Sequence, residues 1–195
     1  MAGARPQTDD RTDGELATLV AAGDREAGQV LVNRYQRLIR SFLLKLSGNR
    51  DLADDIAQET FLRMLTHADR FDPKYPMRTW LMTIARRLLI NHLRRADTRV
   101  GHSEYHGMHS ADAGPADAAA DHDERGRIKA HVHAALDKLT DTQKASIVLF
   151  YQHELSIQEV ADVMEMPAGT IKSHLHRARA ALRQLLGPQF ETVTP

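Results

Sequence analysis

The strongest constraint on this chain is what residues 97–124 lack. The stretch holds Gly101, Gly107, Gly114 and Pro115 and almost no large aliphatic side chain, so it cannot supply a packed layer. Any core must come from the segments on either side. The expected organisation is a disordered tail over 1–12, a first domain over 13–96, a flexible acidic linker over 97–124, a second domain over 125–187 and a short tail over 188–195. With 195 residues, 42% of them hydrophobic and 5% aromatic, the chain can bury one moderate core or two small ones.

Apolar spacing in both flanking segments is helical. Leu16, Leu19 and Val20 mark a short helix that breaks at Gly23, and Asp24 is placed to cap the next. There Ala27, Leu31, Leu38, Phe42 and Leu46 recur at helical intervals, widened by Val30, Ile39 and Leu43 and ended by Ser47-Gly48-Asn49. Asp51 is the expected cap of a third helix in which Ala53, Ile56, Ala57, Thr60 and Met64 share a face. Pro73 and Pro76 interrupt the pattern in FDPKYP. A fourth helix is predicted from about Arg78 to Arg95, with Trp80, Leu81, Ile84, Ala85, Leu88 and Leu89 inward. Beyond the linker, Ile128, Val132 and Leu136 resume the helical period, and Thr140 with Gln143 and Ser156 with Glu159 have capping-box spacing. No strand alternation and no internal repeat is present. The predicted class is all-α: an N-terminal helical bundle and a C-terminal helix-turn-helix domain.

SIQEVADVMEMPAGTIKSHLHRARAALRQLL, from Ser156 to Leu186, carries the sharper signal. Ile157, Val160, Ala161 and Met164 bury a short helix, MPAG turns the chain, and Thr170 opens a second helix with Ile171, Leu175, Ala178 and Leu182 inward. Its outward positions are Lys172, Ser173, His176, Arg177 and Arg179. That helix has four bases and no acid between Thr170 and Leu186, whereas Glu154, Glu159, Asp162 and Glu165 precede it. A helix fits the DNA major groove, base edges are read near its N-terminal end, and cationic side chains pair with phosphates. The competing reading is a bundle hairpin with a solvated basic face.

The formal net charge is zero, from 26 Lys plus Arg and 26 Asp plus Glu, and this total conceals blocks of one sign. Residues 51–69 hold five acids and one base, 70–95 seven bases and one acid, and 96–124 seven acids and one Arg. Such blocks mark partner surfaces or solvated faces. In DLADDIAQETFLRML the acids suit a basic protein surface. In RFDPKYPMRTWLMTIARRLLINHLRR the bases stand among Phe71, Tyr75 and Trp80, a combination suited to unpaired bases stacking on rings while phosphates meet cations. Trp80 itself fits either a core position or a stacking platform, and mutual charge compensation between the two helices is the plainer alternative.

Several functions are disfavoured. Without cysteine there is no disulfide, thiolate nucleophile or Cys-ligated metal. No apolar stretch approaches the roughly 18 residues of a membrane span, and MAGARPQTDDRTDGE lacks a signal peptide's apolar run, so the expectation is a soluble, unexported, cytoplasmic protein without membrane insertion. His102, His106 and His109, and His131 with His133, invite a metal, but the first three lie among glycines without helical pattern, and no metal site is assigned. His174 and His176 are expected to face DNA or solvent, and His67 and His153 to end helices. Asp54 and Asp55 are neighbours on a helix and cannot face each other as a catalytic dyad. No Ser-centred elbow, phosphate loop or HExxH pair occurs, so no cofactor, small-molecule substrate or enzymatic activity is expected.

On these residues the chain, from Asp13 to Leu186, resembles the bacterial sigma factors of RNA polymerase, in their compact extracytoplasmic-function (ECF) group. DLADDIAQETFLRML looks like the segment that docks on the clamp coiled coil of the largest core subunit, and TWLMTIARRLLINHLRR like the segment that melts and reads the −10 element. ALDKLTDTQKASIVLFYQHELSIQEVADVMEMPAGTIKSHLHRARAAL is similar to the domain that reads the −35 element. The resemblance implies that Asp55, Gln58 and Glu59 contact core polymerase. It implies that Phe71, Lys74, Trp80, Arg87 and Asn91 serve the −10 region, with the loop from Asp72 to Met77 cradling an extruded base, and that Thr170, Lys172, Ser173, His176 and Arg177 face −35 DNA. Flipping one base costs a few kcal/mol of stacking and pairing, which pocket contacts must offset.

The implied partners are core RNA polymerase and promoter DNA. An anti-sigma factor is a further candidate, since such proteins often cover both DNA-binding faces in this group. In related factors the linker threads the RNA path, and here an acidic mimic of RNA and a plain tether fit equally. The expected function is a dissociable initiation factor that reads −35 and −10 elements and melts the −10 region in a bacterial cytoplasm. A stand-alone helix-turn-helix regulator is the alternative, distinguished by binding DNA specifically without core, and a metal-dependent hydrolase using the His cluster is the third reading.

Overall fold

The computed structural model describes residues 9–100 and 121–187, and these are helical. The N-terminal region comprises α1 (Asp13–Ala21), α2 (Arg25–Ser47), α3 (Arg50–Thr66) and α4 (Met77–Val100), with a 3₁₀ turn at Ala68–Arg70. The C-terminal region comprises α5 (Asp121–Leu136), α6 (Asp141–Ile147) running into a π-helical turn at Val148–Gln152, then α7 (Ile157–Met164) and α8 (Ala168–Leu186). Among the described residues no helix is long and apolar enough to cross a membrane.

Local chemistry sets the boundaries. Three helices open on reciprocal capping boxes, Thr12 with Glu15, Thr140 with Gln143 and Ser156 with Glu159, and Asp24 caps α2 by accepting from the Glu26 and Ala27 amides. The cap of α3 is Asn49, whose side chain accepts from Leu52 N at 3.0 Å, and not Asp51. Gly48, at φ 65°, ends α2 in the left-handed conformation, so the new helix starts at Arg50 and Asp51 lies in its first turn. There its carboxylate still favours the helix dipole. Helix α4 continues five residues past the expected Arg95, because no Gly or Pro precedes Gly101 to stop it. With α5 starting at Asp121, both ends of the 97–124 stretch are helical, and 101–120 lie outside the described residues.

The N-terminal core gathers Leu16, Leu31, Ile39, Phe42, Leu43, Met64 and Leu81. Met77 and Met82, which the sequence pattern passed over, are buried beside them. Asp13 ties α1 to α2, accepting from Arg34 Nη1 at 2.5 Å and from the Tyr35 hydroxyl. Burial, reinforced by that hydrogen bond, holds the Tyr35 hydroxyl protonated well above its ordinary range. In the C-terminal region Leu136, Val148, Leu149, Val160, Met164 and Ile171 fill the centre.

The expectation of two regions joined by a linker omits one feature. The regions pack directly on each other: α7 lies against α4, and α2 meets the π-helical turn. Their buried side chains form one continuous cluster.

Candidate nucleic-acid and docking interfaces

The helix-turn-helix is built by α7 and α8. Val160, Ala161, Val163 and Met164 bury α7, and the chain reverses at Glu165, which adopts φ 57°. Met166 N–H donates back to Ala161 O at 3.0 Å, closing the helix with a Schellman-type bond. Thus the turn residue that needs the left-handed region is Glu165. Gly169, read from sequence as part of the turn, lies in the first turn of α8 with open space where a Cβ would be.

Helix α8 buries Ile171, Leu175 and Ala178 and presents Lys172, Ser173, His176, Arg177 and Arg179 to solvent, with Thr170 half-buried. Ser173 Oγ donates to Gly169 O at 3.1 Å, and Arg177 Nε donates to Ser173 O at 3.3 Å, laying the guanidinium along the helix. His176 is exposed as expected. His174 departs from expectation: it is half-buried, and its Nδ1 is buried without a partner. The helix spacing from Ile171 and Leu175 carries it towards the core edge.

The second surface lies on α4 and the loop before it. Phe71 and Trp80 are half-buried, with ring centroids 5.4 Å apart and planes tilted by 47°. Trp80 is therefore neither a core residue nor a free platform. Lys74 N–H donates to Asp72 Oδ1 at 3.0 Å and Tyr75 N–H to Asp72 O at 3.1 Å, a tight turn that leaves Lys74 and Tyr75 exposed. Trp80, Arg87 and Asn91 follow one side of α4 at helical spacing. Arg87 reaches Glu165 of α7, and Asn91 Oδ1 accepts from Arg94 Nη2 at 2.7 Å. Burial lowers the pKa of the Arg86 guanidinium, and Glu165 opposes that shift. Between this surface and the α7–α8 turn lies an open cleft of about 600 Å³, walled by Phe71, Trp80, Met166 and Pro167.

The third surface is on α3. Its acids divide: Asp54 accepts from Arg40 Nε at 2.6 Å and Nη2 at 2.8 Å, holding α2 to α3, whereas Asp55 and Gln58 are exposed. Glu59 accepts from Arg63 at 2.9 Å one turn on. The same side carries Leu62, 58% exposed, and Leu65, 40% exposed. Sequence reading missed both, although Leu62 stands off the Ala53–Ile56–Thr60 face and so was visible as an apolar residue on a polar side. Among the described residues no group of three or more His, Cys, Asp or Glu could hold a metal ion, and His102, His106 and His109 lie outside them.

Residues 31–99 match the family model described as Sigma-70 region 2, and residues 130–182 match that described as Sigma-70, region 4. The ECF RNA polymerase sigma factor SigW of Bacillus subtilis is 32% identical over 173 residues, covering 86% of this chain and 92% of that protein. Among solved structures, CnrH in complex with the cytosolic domain of CnrY superposes with a TM-score of 0.67 at 26% identity, covering 89% of this chain and 96% of that one. The sigma factor RpoE of Bartonella quintana, in complex with the anti-sigma factor NepR, gives a TM-score of 0.65 at 25% identity, covering 84% and 97%. The chain belongs to the ECF group of bacterial RNA polymerase sigma factors. Its activity is non-catalytic: regions 2 and 4 direct RNA polymerase to promoters.

Proposed function

We propose that the three surfaces divide the work of initiation. Asp55, Gln58 and Glu59, with Leu62 beside them, dock on core RNA polymerase. Phe71, Lys74, Trp80, Arg87 and Asn91 open and read the −10 region, stacking an extruded base on the Phe71–Trp80 pair. Thr170, Lys172, Ser173, His176 and Arg177 enter the major groove at −35. The −10 domain spans 13–96 and the −35 domain 125–187, with the acidic stretch between them as the tether. The observation that carries this reading is the polarity of the helix-turn-helix: every charged side chain on α8 is basic and exposed, while α7 carries the acids.

CnrH and the Bartonella quintana RpoE were each solved with a bound partner, the latter an anti-sigma factor. We extend that to a proteinaceous inhibitor of this chain, covering its DNA-binding faces.

The test is binding of labelled protein to bacterial core polymerase in competition with a housekeeping sigma factor. Tight, competable binding that is lost in the Asp55→Ala, Gln58→Ala, Glu59→Ala variant is expected. Binding by that variant equal to the parent's removes α3 from the docking role.

A further inference from the structure

Two carboxylates of α7 occupy two guanidiniums of α4. Arg78 donates to Glu159 Oε1 from Nη2 at 2.7 Å and from Nε at 3.2 Å. Arg87 grips Glu165 with a two-bond fork, Nε to Oε2 at 2.9 Å and Nη2 to Oε1. Such bidentate geometry is what arginine also offers to a phosphate. Both pairs bridge the N- and C-terminal regions. Together they bring the α7–α8 turn over Phe71 and Trp80, with Asp162 on the same wall of the cleft.

Glu165 makes this contact from an unfavourable backbone. Its φ of 57° is a conformation that glycine adopts far more easily, and it stands where a glycine would close the turn at no steric cost. From that position its side chain grips Arg87.

We propose that α7 and the turn after it act as a built-in mimic of the nucleic-acid backbone, Glu159 and Glu165 holding a closed state in which Arg87 is occupied and the face carrying Phe71 and Trp80 is withheld from DNA. The closure stands on the geometry alone; its meaning as masking rests on the assignment of those residues to the −10 region. The Arg87–Glu165 pair is largely exposed and so individually weak, which suits a switch, because a latch must give way to its competitor, while the Arg78–Glu159 pair is partly buried. Asp162 and Glu165 line the cleft and present negative charge to an approaching DNA strand until α7 leaves. A polymerase that holds the two regions apart on separated DNA elements then releases Arg78 and Arg87 for phosphates.

Trp80 is the chain's sole tryptophan, so its fluorescence reports on the cleft. The experiment compares acrylamide quenching of the full chain with that of an E159Q/E165G variant. Gln at 159 keeps a capping-box residue and Gly at 165 suits the turn, so both changes spare the helix-turn-helix. The expected result is a red-shifted, more readily quenched Trp80 with an unchanged far-UV circular dichroism spectrum. The single variant E165R should open the cleft likewise, and R87E/E165R should close it again by restoring the pair with reversed sign. Quenching in E159Q/E165G equal to the parent's, or no recovery in R87E/E165R, overturns the latch. A second arm adds a random-sequence pool of single-stranded DNA. Tighter binding by E159Q/E165G than by the parent supports masking; an opened cleft that gains no DNA binding overturns the mimicry and the −10 assignment, while leaving the closure standing.

Discussion

Phe42 of α2 receives the His153 ring edge-on across the junction of the two helical regions, with centroids 5.8 Å apart and planes at 81°. His153 Nε2 is buried without a partner, and burial, aided by the nearby Lys45 cation, pushes the imidazole below its ordinary value. Lys45 comes from α2 and also approaches His133 Nε2 of α5 at 3.4 Å, so an added proton on His153 meets a positive neighbourhood. A base whose folded pKa is depressed leaves the unfolded state binding more protons. Stability is then full above the ordinary histidine value of 6.5 and declines as pH falls below it.

Urea unfolding between neutral and mildly acidic pH should therefore show a falling midpoint, and His153→Phe should flatten that dependence. The carboxylates of Glu159 and Glu165 are held below their usual range. For Glu165 the cause is the Arg87 hydrogen bonds; for Glu159 burial opposes the shift, and the Ser156 amide and Arg78 overcome it. Their contribution is lost only at still lower pH. An unchanged midpoint in the parent across the histidine range contradicts the assignment.

The cap of α3 separates two neighbouring residues. Asn49→Ala removes the acceptor for Leu52 N and should cost about 1 kcal/mol in chemical denaturation. Asp51→Ala loses only a dipole interaction, about 0.3–1 kcal/mol at low salt and less as salt rises.

Leu62 is more than half exposed, so Leu62→Ser should change stability by no more than about 0.5 kcal/mol. Its expected effect is on core polymerase: weaker binding in the competition assay, without change in the thermal midpoint. Equal affinity restricts the docking surface to the polar side chains.

Lys172 is exposed on the outward side of α8. If it meets a phosphate, Lys172→Ala should weaken holoenzyme binding to −35 duplexes regardless of their sequence and reduce the slope of log affinity against log salt by about 1. Arg177→Ala should instead reduce initiation on templates with a −35 element more than on templates without one.

Much of this was legible in the sequence because helices write their buried faces at a fixed period. Ile171, Leu175 and Ala178 were read as inward and Lys172, Ser173, His176 and Arg177 as outward, and both sets stand so. The capping boxes at Thr140 and Ser156 were legible because each needs only two residues at one spacing. Asn49 was missed because Asn49 and Asp51 are both good caps, and only the backbone at Gly48 chooses between them. Glu165 was read as one of α7's acids and not as the turn residue, since nothing in a sequence marks a glutamate that tolerates a left-handed backbone to reach an arginine 78 positions away. The contact of α4 with α7 was invisible for the same reason: periodicity describes one helix, and salt bridges across the linker depend on how two finished units meet.

The exposure of Leu62 and Leu65 carries a kinetic consequence. The α3 stripe is open to solvent in the same structure in which α7 lies over α4, so a polymerase that docks on α3 would seize the chain before that contact opens. On that docking assignment holoenzyme assembly would have two stages, a collision whose rate rises with polymerase concentration and a rearrangement whose rate does not. At high polymerase concentration the observed rate should then level off at the opening rate of the α4–α7 contact, which would set how fast this factor can be commissioned.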